Sequence, residues 1–179
     1  VAELERVNRM KTLALRREWT TSLFRENMSD ERMEEISAWT WKPDYISLNI
    51  PEEGSNELAQ LLIEKKVPIE YSCFTIDDAS VFEKQGYADS TFRVLVEVSG
   101  EKDGQRTVDK AVQIYQYLHD RYPQLEYVIH GEDIYTWDVI QYAKAFHLNW
   151  RIGMEDISCD EHGQELTSNV ALYRHALEI

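Results

Sequence analysis

Short runs of β-branched and aromatic residues recur along the chain, separated by longer stretches whose apolar positions repeat every three or four residues. The β-type runs are 45–50, 68–74, 92–98, 125–130 and 149–154, with a weaker one at 19–24. The midpoints of the first five are separated by 24, 24, 33 and 24 residues, the length of a strand, a helix of about three turns and two loops. Between them the pattern predicts helices. Ser29 can cap a helix through 36, with Asp30 and Glu31 at its positive end, and Ser55 can cap a run over 57–65 that buries Leu58, Leu61 and Leu62. Thr75 and Asp78 have the spacing of a capping box, with Gly86 as the C-terminal stop. Thr107 can open a helix whose inner face carries Val108, Val112, Ile114, Tyr115 and Leu118, and which Pro123 prevents from continuing. Segments 133–146 and 168–177 complete the set, and 2–17 is an amphipathic N-terminal stretch.

Strands that alternate with helices imply a mostly parallel sheet, because parallel neighbours need a crossover connection. Two α/β architectures satisfy this: an open doubly wound sheet and a (β/α)8 barrel of TIM type. No strand is followed by a GxGxxG or GxxxxGK[ST] loop, which weighs against a nucleotide-binding open sheet. The barrel reading counts six strands, so the expectation is a single barrel-type domain over 1–179, incomplete at about six βα units, with its N-terminal strands missing.

Composition narrows the function. With 33 acidic against 19 basic side chains the formal charge is −14, which repels a phosphate backbone, and no local basic patch offsets it. No apolar run approaches the ~20 residues of a membrane span. Cys73 and Cys159 lie 86 positions apart without a CxxC, so neither a disulfide framework nor a zinc ribbon is expected, and a cytoplasmic setting is the default.

In either architecture the functional face is the C-terminal end of the strands. The polar residues at or near it are Ser47 and Asn49, Glu70 and Ser72, Arg93 and Glu97, His130 and Glu132, and Arg151, Glu155 and Asp156. Polar side chains in short apolar strands are costly to bury alone, so several in succession point to a shared purpose. In His130-Gly131-Glu132 the glycine can let the backbone approach a ligand while two titratable groups point into one region. Arg151-Ile152-Gly153-Met154-Glu155-Asp156 ends a strand with a permanent cation and two carboxylates. Other polar stretches read as structural. Tyr115, Tyr117, Tyr122 and Tyr127 are packing residues, 160–165 is a hydrophilic turn without metal-ligand spacing, and 101–104 is a solvated loop.

With that last motif the chain resembles the β-keto acid cleavage enzyme family, also called the 3-keto-5-aminohexanoate cleavage family, and looks most like its shorter bacterial members. The resemblance is carried by Trp39 with 42–49, then 67–70, 74–79, 93–97, 129–132 with Trp137, 151–156 and 168–172, all in the family's order. It implies a (β/α)8 barrel with a divalent metal, usually zinc. The implied reaction condenses a β-keto acid with acetyl-CoA and cleaves the product to acetoacetate and a new CoA ester. By the same resemblance Glu155 matches the carboxylate metal ligand, Asp156 and Arg151 match the pair that orients and activates the substrate, and Ser47 and Glu97 match polar residues around the keto acid. Asn49, Glu70, Ser72, His130 and Glu132 are the remaining candidates for substrate contact. A homo-oligomer is also implied. Two departures stand out: the family's His-x-His metal pair occurs nowhere in the chain, and of its five histidines only His130 falls at a strand end. The competing reading is a non-catalytic barrel relative acting as a ligand-binding or assembly subunit.

Overall fold

A computed structural model describes residues 18–20, 29–99 and 103–179. Six strands form one sheet: β1 (Glu18–Thr20), β2 (Tyr45–Asn49), β3 (Ile69–Cys73), β4 (Thr91–Val98), β5 (Tyr127–Gly131) and β6 (Asn149–Arg151). Their spatial order is their chain order, and every neighbouring pair is parallel. A doubly wound sheet reverses its strand order at a switch point, whereas a barrel wall never does. The sequential order therefore decides between the two expected architectures in favour of the (β/α)8 type. Among the described residues the wall has six strands, and β1 and β6 do not pair with each other.

The helices are α1 (Ser29–Ser37), α2 (Ser55–Glu64), α3 (Ile76–Gln85), α4 (Gly104–His119), α5 (Thr136–Ala145) and α6 (Asn169–Glu178). None of them is long and apolar enough to cross a membrane. The capping box at α3 is present, with Thr75 accepting from the Asp78 amide and Asp78 accepting from that of Thr75, and Gly86 closes the helix at φ 68°. Two predicted starts are corrected. Gly54, in the left-handed region, caps α2 without a side-chain bond, and Ser55 instead donates to the Ile50 carbonyl. Helix α4 begins at Gly104, a turn before Thr107, because the Asp103 carboxylate accepts from the Arg106 amide. Strand β6 stops at Arg151, so 152–154 belongs to the loop that follows. The weak run at 19–24 contributes 18–20, while 21–24 and the stretch 2–17 lie outside the described residues.

Alternation along each strand separates two buried faces. Ile46, Leu48, Ile69, Tyr71, Cys73, Val94, Val96, Val98, Tyr127 and Ile129 join Leu58, Leu62, Phe82, Ala111, Ile114 and Leu118 of the helices in one apolar core. Of the tyrosines expected to pack, Tyr115 meets Tyr127 edge-on at 5.3 Å and Tyr122 meets Phe82 at 5.7 Å, and Tyr71 stacks on Tyr87 at 4.4 Å. Neither Leu95 nor Val128 joins this core; with Ser47, Asn49, Glu70, Ser72, Arg93, Glu97, His130 and Arg151 they occupy the alternate positions, facing the barrel interior. A second apolar cluster, Trp137, Ile140, Ile157, Leu172 and Ala176, fixes the loop after β6 against α5 and α6.

Candidate active site

Strand register sorts the interior polar residues into rows. Ser47, Glu70 and Arg93 are neighbours across β2, β3 and β4, as are Asn49, Ser72 and Leu95. Nearer the C-terminal end, Glu97, His130 and Arg151 are neighbours across β4, β5 and β6. Parallel pairing thus gathers in space what the sequence scatters over more than fifty positions.

The lower row is built on an ion pair. Glu70, fully buried, accepts from Arg93 Nε, and Arg93 also donates to the Tyr45 hydroxyl at 3.1 Å and lies 5.1 Å from that ring's centroid. Above it, the Ser47 and Ser72 hydroxyls stand 3.4 Å apart, and Asn49 donates to Glu52 at 2.8 Å.

The upper row is arranged differently. His130 is 1% exposed, with Nε2 3.0 Å from Asp156 Oδ2 and Nδ1 3.7 Å from Glu97 Oε1. Neither nitrogen makes an aligned hydrogen bond, so these are charge contacts. Burial opposes charging the ring, but the contact with Asp156, then that with Glu97, outweighs it and holds the imidazole pKa up at about 9. Glu97 is pushed up by burial and more than pulled back by His130, so it lies below the ordinary glutamate range. Burial, and then the hydrogen bond to Glu97, raise Glu132. The two carboxyls are thus driven apart, Glu97 toward its ionised form and Glu132 toward its protonated form.

Backbone bonds lace the loops that carry these groups. The Glu132 amide donates to the Val98 carbonyl at 3.0 Å, and the Asp133 amide donates to that of Asp156 at 3.2 Å. Asp133 takes a positive φ of 59° to do so. Asp156 Oδ2 also accepts from the Gly153 amide at 2.8 Å, which fixes its carboxylate in a tight turn. Asn169 Oδ1 accepts from the Met154 amide at 2.7 Å and so ties that turn to the start of α6. Asn169 lies in one of the segments that carry the resemblance, and nothing in its local pattern announces this bond to the turn.

Gly131 has a role other than the expected approach to a ligand. A Cβ there would lie 2.9 Å from Thr136 Cα and 3.1 Å from Val139 Cβ, so glycine admits the start of α5 against the strand end. Thr136, wholly buried, donates to the Gly131 carbonyl at 2.8 Å.

Structure brings Glu97, His130, Glu132 and Asp156 together, with Arg151 beside them in register. It turns Glu155 elsewhere: its side chain, 66% exposed, accepts from Arg151. Among the described residues no group of three or more His, Cys, Asp or Glu side chains closes around Glu155, so those residues do not fit the metal that the resemblance implies. The group that does gather is Asp160, Glu161 and His175. This is a juxtaposition that the reading of 160–165 as a plain turn did not anticipate. Asp160 accepts from the amides of His162 and Gln164, as a turn residue does, while Glu161 pairs with His175 of α6.

Among curated proteins, none matches the chain. The family model described as beta-keto acid cleavage enzyme does match, over residues 3–179. That span includes all six strands and every polar residue of both rows, and the chain therefore belongs to the beta-keto acid cleavage enzyme family.

Proposed function

We propose that this chain cleaves a β-keto acid by a retro-Claisen route, condensing it with acetyl-CoA to give acetoacetate and a new CoA ester. The observation that carries the reading is the convergence of Glu97, His130 and Asp156 at the C-terminal end of the wall, the face where barrels of this type do chemistry. Asp156 takes a proton from the carbon between the two carbonyl groups, held in place by the Gly153 amide and the His130 ring. Arg151 holds the carboxylate of the keto acid, or the oxygen that gains charge as the proton leaves. Glu97, whose ionised form His130 favours, keeps that ring oriented, and Glu132, its pKa raised by burial and by Glu97, stands at the mouth. Ser47, Asn49, Ser72 and Glu70 line the interior beneath. Among the described residues the ligands of a metal do not assemble around Glu155.

The test is direct. Purified chain, a β-keto acid and acetyl-CoA should yield acetoacetate, and Asp156→Asn should lower kcat by ~10²–10⁴. Turnover unchanged by that substitution, or none from the folded wild type, would end the reading. A thermal shift by the keto acid without turnover would favour the non-catalytic binding subunit. Association into a homo-oligomer accords with the exposed stripe of Val170, Tyr173 and Leu177 on α6, and sedimentation would measure it.

A further inference from the structure

We infer that two fixed organic cations, the Arg151 guanidinium and a His130 imidazolium, supply the positive charge of this mouth, and that Glu155 is the partner of Arg151 and not a metal ligand. The inference rests on reading the site as a β-keto acid cleavage centre. Two independent observations carry it.

The first is the set of donors. A mononuclear zinc centre takes about three protein ligands, and among the described residues no such set closes around Glu155. Glu155 offers one carboxylate, mostly in solvent and engaged by Arg151. Asp156 is held by the Gly153 amide and faces His130. His130, the one histidine at a strand end, has a carboxylate oxygen 3.0 Å from Nε2 and another 3.7 Å from Nδ1. The three-membered group Asp160, Glu161 and His175 lies beyond this cluster, on the loop leading to α6 and on α6 itself.

The second is the chemistry of a ring between two anions. A neutral imidazole presents one N–H and one lone pair. With Asp156 Oδ2 at 3.0 Å from Nε2 and Glu97 Oε1 at 3.7 Å from Nδ1, either neutral tautomer sets its lone pair against a carboxylate oxygen. Only the doubly protonated ring presents N–H to both. Glu97, Asp156, Arg151 and Glu132 are the charged and titratable groups that act on it, and the two facing carboxylates outweigh the one guanidinium. In the resulting site the carbon acid gives its proton to Asp156 and the electron pair moves to the keto oxygen, in the field of Arg151. His130 acts through Asp156 and Glu97, and is a positioning residue.

Two measurements on the full chain test this. In 15N-labelled protein at pH 7, the ring that disappears in His130→Asn should show both nitrogens protonated; a neutral, single-tautomer signature overturns the inference. Equilibrium dialysis against micromolar zinc, followed by elemental analysis, should give the same zinc content in wild type and Glu155→Gln. Loss of one equivalent in Glu155→Gln overturns it, and so exposed a position does not endanger the fold. Zinc kept by Glu155→Gln and lost by His175→Ala supports it and places the ion on the α6 side. Zinc at Glu155 would leave the cleavage reaction standing, whereas a doubly protonated His130 in an enzyme without turnover would overturn the proposed reaction alone.

Discussion

The row Ser47, Glu70, Arg93 and the row Glu97, His130, Arg151 lie on the same interior face, four residues apart along β4. Each sets an acid beside a cation. In the lower row the acid and the arginine meet directly, and the Tyr45 hydroxyl and ring hold the guanidinium from another side. In the upper row the cation is a histidine, two carboxylates compete for it without aligned hydrogen bonds, and burial and Glu97 raise the pKa of a third carboxyl, Glu132, at the mouth. Buried charge alone therefore does not mark a site. The lower row spends its charge on itself, while the upper row leaves groups whose protonation can change.

Removing one partner of the lower pair is the largest test of this contrast. Glu70→Ala leaves Arg93 without its main partner in the interior, and an uncompensated buried charge costs ~3–5 kcal/mol. Denaturant unfolding should register that loss. A loss below about 1 kcal/mol would show that water reaches Arg93, and would erase the distinction between the rows.

The upper row should instead respond to pH. The folded His130 ring binds its proton more tightly than the ordinary imidazole of the unfolded chain, so its contribution is complete below about 6.5 and is lost as pH rises through about 9. The folded state holds more protons than the unfolded one across this window, so stability falls with rising pH, by ~3 kcal/mol at most. Glu132, raised as well, acts with the same sign above the usual glutamate range; Glu97, lowered, contributes stability that is lost in acid. Unfolding free energies measured from pH 6 to 10 should show the decline in wild type and a flatter line in His130→Asn. Equal slopes would remove the imidazolium from the picture.

Much of the fold was legible because it follows from local rules: alternation in strands, three-to-four periodicity in helices, and the Thr75–Asp78 box. Legibility failed where a helix end depends on backbone more than on the nearest hydroxyl, as at Gly54 and Asp103. For the site, chain order sufficed to suggest that Glu97, His130 and Arg151 share one end of the wall. Which carboxylate meets His130 was not legible, because Asp156 reaches it only through the turn closed by the Gly153 amide. The same holds for Glu161 and His175, whose meeting depends on the path of the loop between them.

Gly131 shows how close that support lies to the chemistry. Its added Cβ would press on Thr136 Cα at 2.9 Å, backbone that cannot yield without moving the start of α5, and overpacking of this kind costs ~1–3 kcal/mol. Gly131→Ala should lose that much stability and, because Glu132 follows directly, should lower kcat more than a like loss at a distant core position. Matching kcat values for the two variants would show that the mouth does not depend on the α5 contact.

The smallest expected effect is at the boundary between the rows. Ser47 is in register with Glu70, which places it in the lower row, yet the family resemblance matches it to a residue around the keto acid. Its hydroxyl is 3.4 Å from that of Ser72, a contact at the long end of hydrogen bonding, so Ser47→Ala should cost about 1 kcal/mol or less of stability. If the hydroxyl meets substrate, KM should rise about three- to tenfold with kcat little changed, since one lost neutral hydrogen bond amounts to ~1 kcal/mol of uniform binding. Ser72→Ala removes the same contact from the other side and makes the comparison internal. Should both substitutions shift only stability, and equally, the pair belongs with Glu70 and Arg93, and the floor of the substrate site lies at the row of Glu97 and His130.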